Sequence, residues 1–168
     1  IDALNHDGFS PLGVACASGN WRLAKFLLER GARPEPADGQ PALLAAAASE
    51  EDDPAGVQLL LKFKARVGTP GRGARTALHE AALAGHADIV ATLLAAGADP
   101  QARDAGGRTP WLEAARALRG GVIEHLAAQR IDVGAIDGEG RNALVLAAGA
   151  EQASLALVRR LLELGVDP

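Results

Sequence analysis

The chain has 168 residues, enough for one domain or two small ones, and its 48% of hydrophobic residues exclude a disordered polypeptide. A formal net charge of −4 argues against a nucleic-acid binder, which usually carries a basic surface. The only cysteine, Cys16, excludes an internal disulfide and fits a reducing compartment. No apolar run reaches the roughly 18 residues of a membrane span, so we expect a cytoplasmic protein that does not insert into membranes.

Aromatic residues make up only 3% of the chain. Compact cores usually draw on aromatic side chains for buried area, so Ala and Leu have to fill this one. Small side chains let helix backbones come close together, which favours short helices packed tightly on one another. Fourteen arginines against three lysines, with abundant Ala and Gly, indicate a GC-rich gene and favour a bacterial source.

A pattern of about 33 residues recurs along the whole chain. Its anchor is the Leu or Trp of segments such as SPLGVAC, TALHEAA and NALVLAA, and the five anchors are Leu12, Leu43, Leu78, Trp111 and Leu144. A second series keeps the same period before the next turn: Leu27, Leu60, Leu93, Leu126 and Leu161. Two series with one period predict five structural repeats in a single domain, at roughly 5–35, 36–70, 71–103, 104–136 and 137–168.

Each repeat is predicted to contain a helix, a turn, a second helix and an extended hairpin, and the third repeat shows this most clearly. A first helix over 76–84 ends at Gly85. The second helix begins near Asp88, whose charge suits a helix N-terminus, and ends at Gly97. Its apolar stripe consists of Ile89, Val90, Leu93 and Leu94.

Several segments depart from the regular period. Repeats two and five carry two extra residues between their helices, near 49–56 and 149–154, and the hairpin at 33–39 is shortened by two. In the first insertion, Asp53 and Pro54 are predicted as the N-cap and first residue of the next helix. Lys64 and Arg130 replace the helix-ending Gly, and a side chain at positive φ there costs roughly 1 kcal/mol.

The segment TALHEAALAGHADIVATLLAAGADP resembles the ankyrin repeat family, and GFSPLGVACASGNWRLAKFLLERGAR and GGRTPWLEAARALRGGVIEHLAAQRID are similar to it more loosely. The resemblance covers essentially all 168 residues. It implies an all-α solenoid of five helix-turn-helix units with hairpin-like loops, in which neighbouring repeats bury one another's apolar faces. It also implies structural roles for His79 and His86, whose rings hydrogen-bond turns of neighbouring repeats.

Two columns of small residues are expected to let adjacent first helices nearly touch. One column is Ala15, Ala46, Ala81, Ala114 and Ala147, and the column beside it is Cys16, Ala47, Ala82, Ala115 and Ala148. Leucines continue through the last repeat at helical spacing: Leu144, Leu146, Leu155, Leu157 and Leu161. Because the outermost repeats of a solenoid need a polar face, we expect the chain to be a fragment of a longer array, the alternative being ends that are less polar than usual.

No motif for catalysis, cofactor binding or metal binding emerges. GTPGRGAR (68–75) lacks the Lys-Ser/Thr ending of a phosphate-binding loop, and SEEDD (49–53) lacks the alternating ligands of a calcium loop, so it is expected to be a solvated loop. The four histidines and Cys16 do not have metal-ligand spacing, and no serine has a nearby His–acid arrangement. We therefore expect a protein that is not an enzyme.

The resemblance implies that hairpin tips and the exposed sides of the first helices form a concave face that binds other proteins. Residues three before each anchor are expected there, namely Phe9, Gln40, Arg75, Arg108 and Arg141, together with Arg72 and Arg103 on hairpin tips and Arg116 on a first helix. Arginine forms bidentate contacts with carboxylates, so this stripe predicts a partner with an acidic surface. Phe9 is expected to be exposed and to act as an aromatic anchor, the alternative being that it packs against a missing preceding repeat. The alternative is a stripe that only aids solubility.

The sequence thus predicts a non-catalytic scaffold for protein–protein interaction. The competing hypothesis is a targeting or regulatory arm of a larger bacterial enzyme or of an effector secreted into a host cell. Nucleic-acid binding through the arginines is a weaker competitor, since it conflicts with acidic loops such as SEEDD.

Overall fold

The chain forms five pairs of antiparallel helices stacked in a row, as described for residues 1–168 by a computed structural model. The first helices of the pairs are α1 (Pro11–Ala17), α3 (Ala42–Ala47), α5 (Ala77–Ala84), α7 (Pro110–Arg116) and α9 (Ala143–Ala148). The second helices are α2 (Trp21–Glu29), α4 (Ala55–Lys62), α6 (Ala87–Ala95), α8 (Gly120–Ala127) and α10 (Leu155–Glu163). Each pair lies within one of the predicted repeats, and the all-α prediction is confirmed.

The stacking is linear, and the helices of each repeat pack on those of the neighbouring repeats. The two helices of a pair contact each other, and α1, α3, α5, α7 and α9 contact one another in that order. The second helices α2, α4, α6 and α8 do the same. No helix of the chain has the length and apolar composition needed to cross a membrane.

A single apolar core of 37 buried residues runs along the stack. Its first small-residue column is buried throughout, with Ala81 completely inaccessible between α3 and α7. The second column is also buried except for Ala148. Cys16 belongs to this column, and burial raises the pKa of its thiol to about 12, so the sulfur stays protonated and unreactive.

Polar side chains cap the first helices and join neighbouring repeats. The Thr76 amide donates to Nδ1 of His79 at 3.2 Å, so Nε2 carries the proton and donates to the Arg108 carbonyl at 2.9 Å. His86 Nδ1 donates to the Ala47 carbonyl of the preceding repeat at 3.2 Å. The structural roles expected for both histidines are confirmed.

The helix-ending turns agree with the predictions at most positions and differ at one. Gly85 and Gly97 have φ of 90° and 88°, and Lys64 has φ of 67°, as predicted. Arg130 does not adopt positive φ, so the prediction of backbone strain at this residue is wrong. After α8 the Gln129 amide donates to the Leu126 carbonyl, and the chain turns without a left-handed residue. Leu118, at φ 57°, occupies the left-handed position that Gly85 fills in repeat three. The backbone is therefore strained at a leucine for which no such strain was predicted from the sequence.

The predicted insertions at 49–56 and 149–154 are the two longest connections within helix pairs. Pro54 precedes α4 with helical φ and ψ of −70° and −6°, and the Asp53 carboxylate caps this turn, as predicted, by accepting from the Ala55 amide. The same carboxylate accepts from Nε1 of Trp21 in repeat one. The Asp52 carboxylate accepts from the Asp88 and Ile89 amides, both at 3.0 Å, and so caps α6 of repeat three. The acidic loop therefore connects repeats one, two and three through Asp52 and Asp53, whereas Glu50 and Glu51 are exposed to solvent.

Candidate functional site

Arg75, Arg108 and Arg141 each lie immediately before the capping residue of a first helix, at the base of a hairpin. They occupy the same position in three successive repeats, 33 residues apart. However, their side chains are only 22%, 29% and 35% exposed, because each is held against the protein by carboxylates.

The centre of this arrangement is Glu113 on α7, whose side chain is completely buried. Its carboxylate accepts from Nη1 of Arg75 at 2.9 Å and from Nη2 of Arg116 at 2.7 Å. Nη1 of Arg108 lies 3.4 Å from the same carboxylate. Burial alone would raise the pKa of Glu113, but the hydrogen bonds from Arg116 and Arg75 outweigh it and lower the pKa.

Two further carboxylates complete the cluster. Nε of Arg75 donates to Glu80 at 2.6 Å, and its Nη1 lies 3.4 Å from Asp104. Asp104 also pairs with Arg108 at 3.9 Å and accepts from the Arg108 amide at 2.9 Å. We call this group, with Glu113 and Arg116, the arginine cluster. It contains three guanidinium groups and three carboxylates, so the arginines of this part of the stripe are paired with carboxylates of the chain itself.

Arg141 forms a separate pair at the next hairpin. Its Nη2 donates at 2.8 Å both to Asp137, which is 1% exposed, and to Glu139. Burial would raise the pKa of Asp137, but hydrogen bonds from the Arg141 side chain and amide lower it on balance. The Arg141 guanidinium is thereby fixed in orientation and its charge is balanced.

The other predicted site residues mostly join successive hairpins. Oε1 of Gln40 accepts from the Arg72 amide at 3.1 Å. Nη1 of Arg103 donates to the carbonyls of Gly107 and Ile136 at 2.7 and 2.8 Å. The exposed Arg72 side chain lies over Gly8 and forms no ion pair with a carboxylate.

Phe9 is not the exposed anchor that the sequence analysis predicted. Its ring is half-buried against the core and lies close to Gly13 in the first turn of α1. A groove of about 590 Å³ lies beside the arginines of repeats four and five. Its lining residues are Arg116, Arg141, Val145, Leu146, Gly149, Ala150 and Glu151.

The carboxylates that orient the arginines were not predicted from the sequence, although their spacing from the anchors and from the arginines repeats between units. Glu80 and Glu113 are both two residues after an anchor, and Asp104 and Asp137 both precede their arginine by four residues. Within RDAGGR and IDGEGR, the same aspartate accepts from the amides that follow it, which shapes the hairpin and places the arginine.

A family model described as ankyrin repeats matches residues 12–104 as three copies. The chain belongs to the ankyrin repeat family. Ankyrin repeats are generally protein–protein interaction modules that bind other proteins, and domains built from them are typically non-catalytic. A search of the curated proteins finds no match to this chain. The structure contains no group of three or more His, Cys, Asp or Glu side chains that could hold a metal ion.

Proposed function

We propose that this ankyrin chain is a non-catalytic scaffold that binds a partner protein on its concave face, centred on the groove of repeats four and five. The observation that carries the proposal is the groove itself, which combines a floor that includes Val145 and Leu146 with the guanidinium groups of Arg116 and Arg141. Such a mixture of apolar contact and fixed polar groups is typical of protein interfaces, where arginine is enriched.

The arginines are suited to recognition because their orientation is set before a partner arrives. Arg116 is held by Glu113 through Nε and Nη2, at 3.2 and 2.7 Å. Arg141 is held by Asp137 through the same two atoms, at 2.9 and 2.8 Å. Side chains that are already ordered lose little conformational entropy on binding, which favours affinity.

The expected partner presents acidic or carbonyl acceptors to these groups. Nη1 of Arg116 and of Arg141 forms no hydrogen bond within the chain, and the two side chains are 40% and 35% exposed. Arg72 adds an exposed guanidinium without a carboxylate partner. Because Arg75 and Arg108 are balanced by carboxylates of the arginine cluster, we propose recognition by directed hydrogen bonds rather than by a broad positive field.

The test is a comparison of two variants with equal change in charge. In the concave variant, Arg116→Gln and Arg141→Gln are combined; in the control variant, Arg22→Gln and Arg159→Gln are combined, both exposed positions on second helices. Each immobilised chain is incubated with bacterial lysate, and bound proteins are quantified by mass spectrometry. We expect proteins retained by the wild type and the control to be lost from the concave variant. Equal retention by both variants would refute the proposed face.

Salt dependence separates this proposal from nucleic-acid binding. A nucleic-acid complex weakens steeply as salt concentration rises, since counterions are released from phosphates. The proposed interface engages two or three arginines beside an apolar floor, so its affinity falls far less steeply over the same range. The hypothesis of a targeting arm in a larger bacterial enzyme or secreted effector involves the same face, and the complete open reading frame distinguishes it from an independent scaffold.

A further inference from the structure

A polar pocket of about 170 Å³ lies between the inter-helix turns of repeats one and two, at the opposite end of the helix pairs from the hairpins. We call it the turn pocket and define it by Ser18, Trp21, Ser49, Glu50, Glu51 and Asp53. Four of these residues belong to the connection near 49–56, so the two-residue insertion of repeat two builds one wall of the pocket. The turn pocket is separate from the groove of the concave face, which lies on repeats four and five.

The hydrophobic wall of the turn pocket is the indole of Trp21, the first residue of α2. The equivalent residues of α6 and α8 are Ala87 and Gly120, so a large ring at this position departs from the repeat. Nε1 of Trp21 donates to the Asp53 carboxylate at 3.2 Å. Because Asp53 also accepts from the Ala55 amide at 2.9 Å, the ring is held in one orientation by a carboxylate that is itself fixed.

Gly56 on α4 makes room for this ring. A Cβ atom at residue 56 would collide with the six-membered ring of Trp21. The equivalent residues of α6 and α8 are Ile89 and Val122, and glycine destabilises a helix relative to alanine. The glycine, the tryptophan and the insertion therefore depart from the repeat pattern at one place. Departures from local rules that converge in this way are typical of functional sites.

The charge of the turn pocket is negative. Glu50 and Glu51 are exposed and form no ion pair within the chain, and no Lys or Arg lines the pocket. Ser18 and Ser49 lie just beyond the C-terminal ends of α1 and α3, where a helix carries partial negative charge. These carboxylates form no group that could hold a metal ion, so the pocket favours an organic cation.

We propose that the turn pocket binds a basic side chain, arginine or lysine, of a partner protein. The indole of Trp21 contacts the apolar stem of that side chain and attracts its charged end through a cation–π interaction. Glu50 and Glu51 form charge-assisted hydrogen bonds with the same charged end. A pocket of about 170 Å³ accommodates one such side chain but not a helix. The scaffold thereby has a second recognition surface, opposite in charge to the arginines of the concave face.

The test uses the whole chain, labelled with a nitrogen isotope, and blocked pentapeptides Gly-Gly-Xaa-Gly-Gly in which Xaa is Arg, Lys or Gln. Nuclear magnetic resonance follows the indole N–H signals of Trp21 and of Trp111, which is buried in the core. We expect the Arg and Lys peptides to shift the Trp21 signal to saturation and to leave the Trp111 signal in place. The Gln peptide should shift neither signal, because it has no positive charge.

Two variants with equal change in charge identify the carboxylates. In the pocket variant, Glu50→Gln and Glu51→Gln are combined; in the control variant, Glu29→Gln and Asp38→Asn are combined, both exposed positions on other parts of the chain. The pocket variant should bind the Arg peptide about tenfold more weakly than the wild type, and the control variant should bind it equally well. Equal affinities of the two variants, or a wild type whose Trp21 signal does not saturate, would overturn the proposal.

The turn pocket and the concave face can be tested separately. The concave variant, with Arg116→Gln and Arg141→Gln, keeps every residue of the turn pocket and should bind the Arg peptide as the wild type does. Loss of peptide binding in this variant would place the basic side chain elsewhere and overturn the assignment. A turn pocket that binds no peptide leaves the proposal for the concave face intact, since that proposal depends on other residues.

Discussion

The buried carboxylate of Glu113 is expected to be the most consequential polar group of the chain. Replacing it with alanine removes the acceptor shared by Arg75 and Arg116, at 2.9 and 2.7 Å, and by Arg108 at 3.4 Å. Removing one partner of a buried ion pair costs about 3–5 kcal/mol. We expect the lower end, about 3 kcal/mol, because Asp104 still balances two of the arginines, whose partly exposed side chains can reach water.

For a chain of this length, about 3 kcal/mol corresponds to a loss of about 6–12 °C in melting temperature. Thermal and urea unfolding followed by far-UV circular dichroism measure the change. The matched control is Glu124→Ala, which removes a carboxylate from an exposed pair with Arg160 and should leave the midpoint unchanged. If Glu113→Ala lowers stability no more than Glu124→Ala does, the arginine cluster is not a stabilising element and the reasoning is wrong.

The lowered pKa of Glu113 adds a pH dependence with a definite sign. Because the folded-state pKa lies below the ordinary value of 4.5, ionised Glu113 stabilises the fold above about pH 4.5. This contribution is lost as the pH falls through the folded-state pKa. Glu113→Gln should therefore reduce the acid sensitivity of the midpoint below pH 4.5, while Asp137, whose pKa is also lowered, preserves part of it. An unchanged pH profile would contradict the assignment.

Four further substitutions test the stacking, two turns and the acidic loop, each by urea unfolding. Ala81→Leu should destabilise by about 1–3 kcal/mol through overpacking, since Ala81 is inaccessible between α3 and α7; an unchanged midpoint would refute the register. Lys64→Gly should stabilise by up to about 1 kcal/mol because φ is 67°, whereas Arg130→Gly should not, because Arg130 avoids positive φ; equal gains would contradict this distinction. Asp52→Ala should cost about 1 kcal/mol by leaving two amides of α6 uncapped, and no loss would show that water replaces the carboxylate.

The leucines of repeat five show how a correct pattern can lead to an incomplete conclusion. Leu144, Leu146, Leu157 and Leu161 are buried in the repeat's own core, and only Leu155 of the five predicted residues is exposed. The apolar outer surface consists instead of positions such as Val145 and Leu162. Helical spacing identifies an apolar stripe on a helix. A helix inside a stack, however, packs against its own repeat on one side and against a neighbouring repeat on the other, and the spacing does not tell which residues face which side.

The sequence by itself determined the architecture, because a period of 33 residues in two independent series leaves one way to bury short, Ala-rich helices. It also located the long connections, the left-handed turn at Lys64 and the recurrence of arginine at one position of three repeats. Each of these depends on residues close in sequence or equivalent by period, so spacing alone carries the information.

Only the tertiary structure decided what those arginines contact. Arg75 of repeat three donates to Glu113 of repeat four, 38 positions further along the chain. This hydrogen bond depends on the direction of both side chains, which the spacing does not specify. The same holds for Phe9, which folds back on the core, and for Asp52, which caps a helix of the next repeat. Periodicity specifies which residues are neighbours, whereas the choice of ion-pair partner follows from burial and geometry at the boundary between repeats.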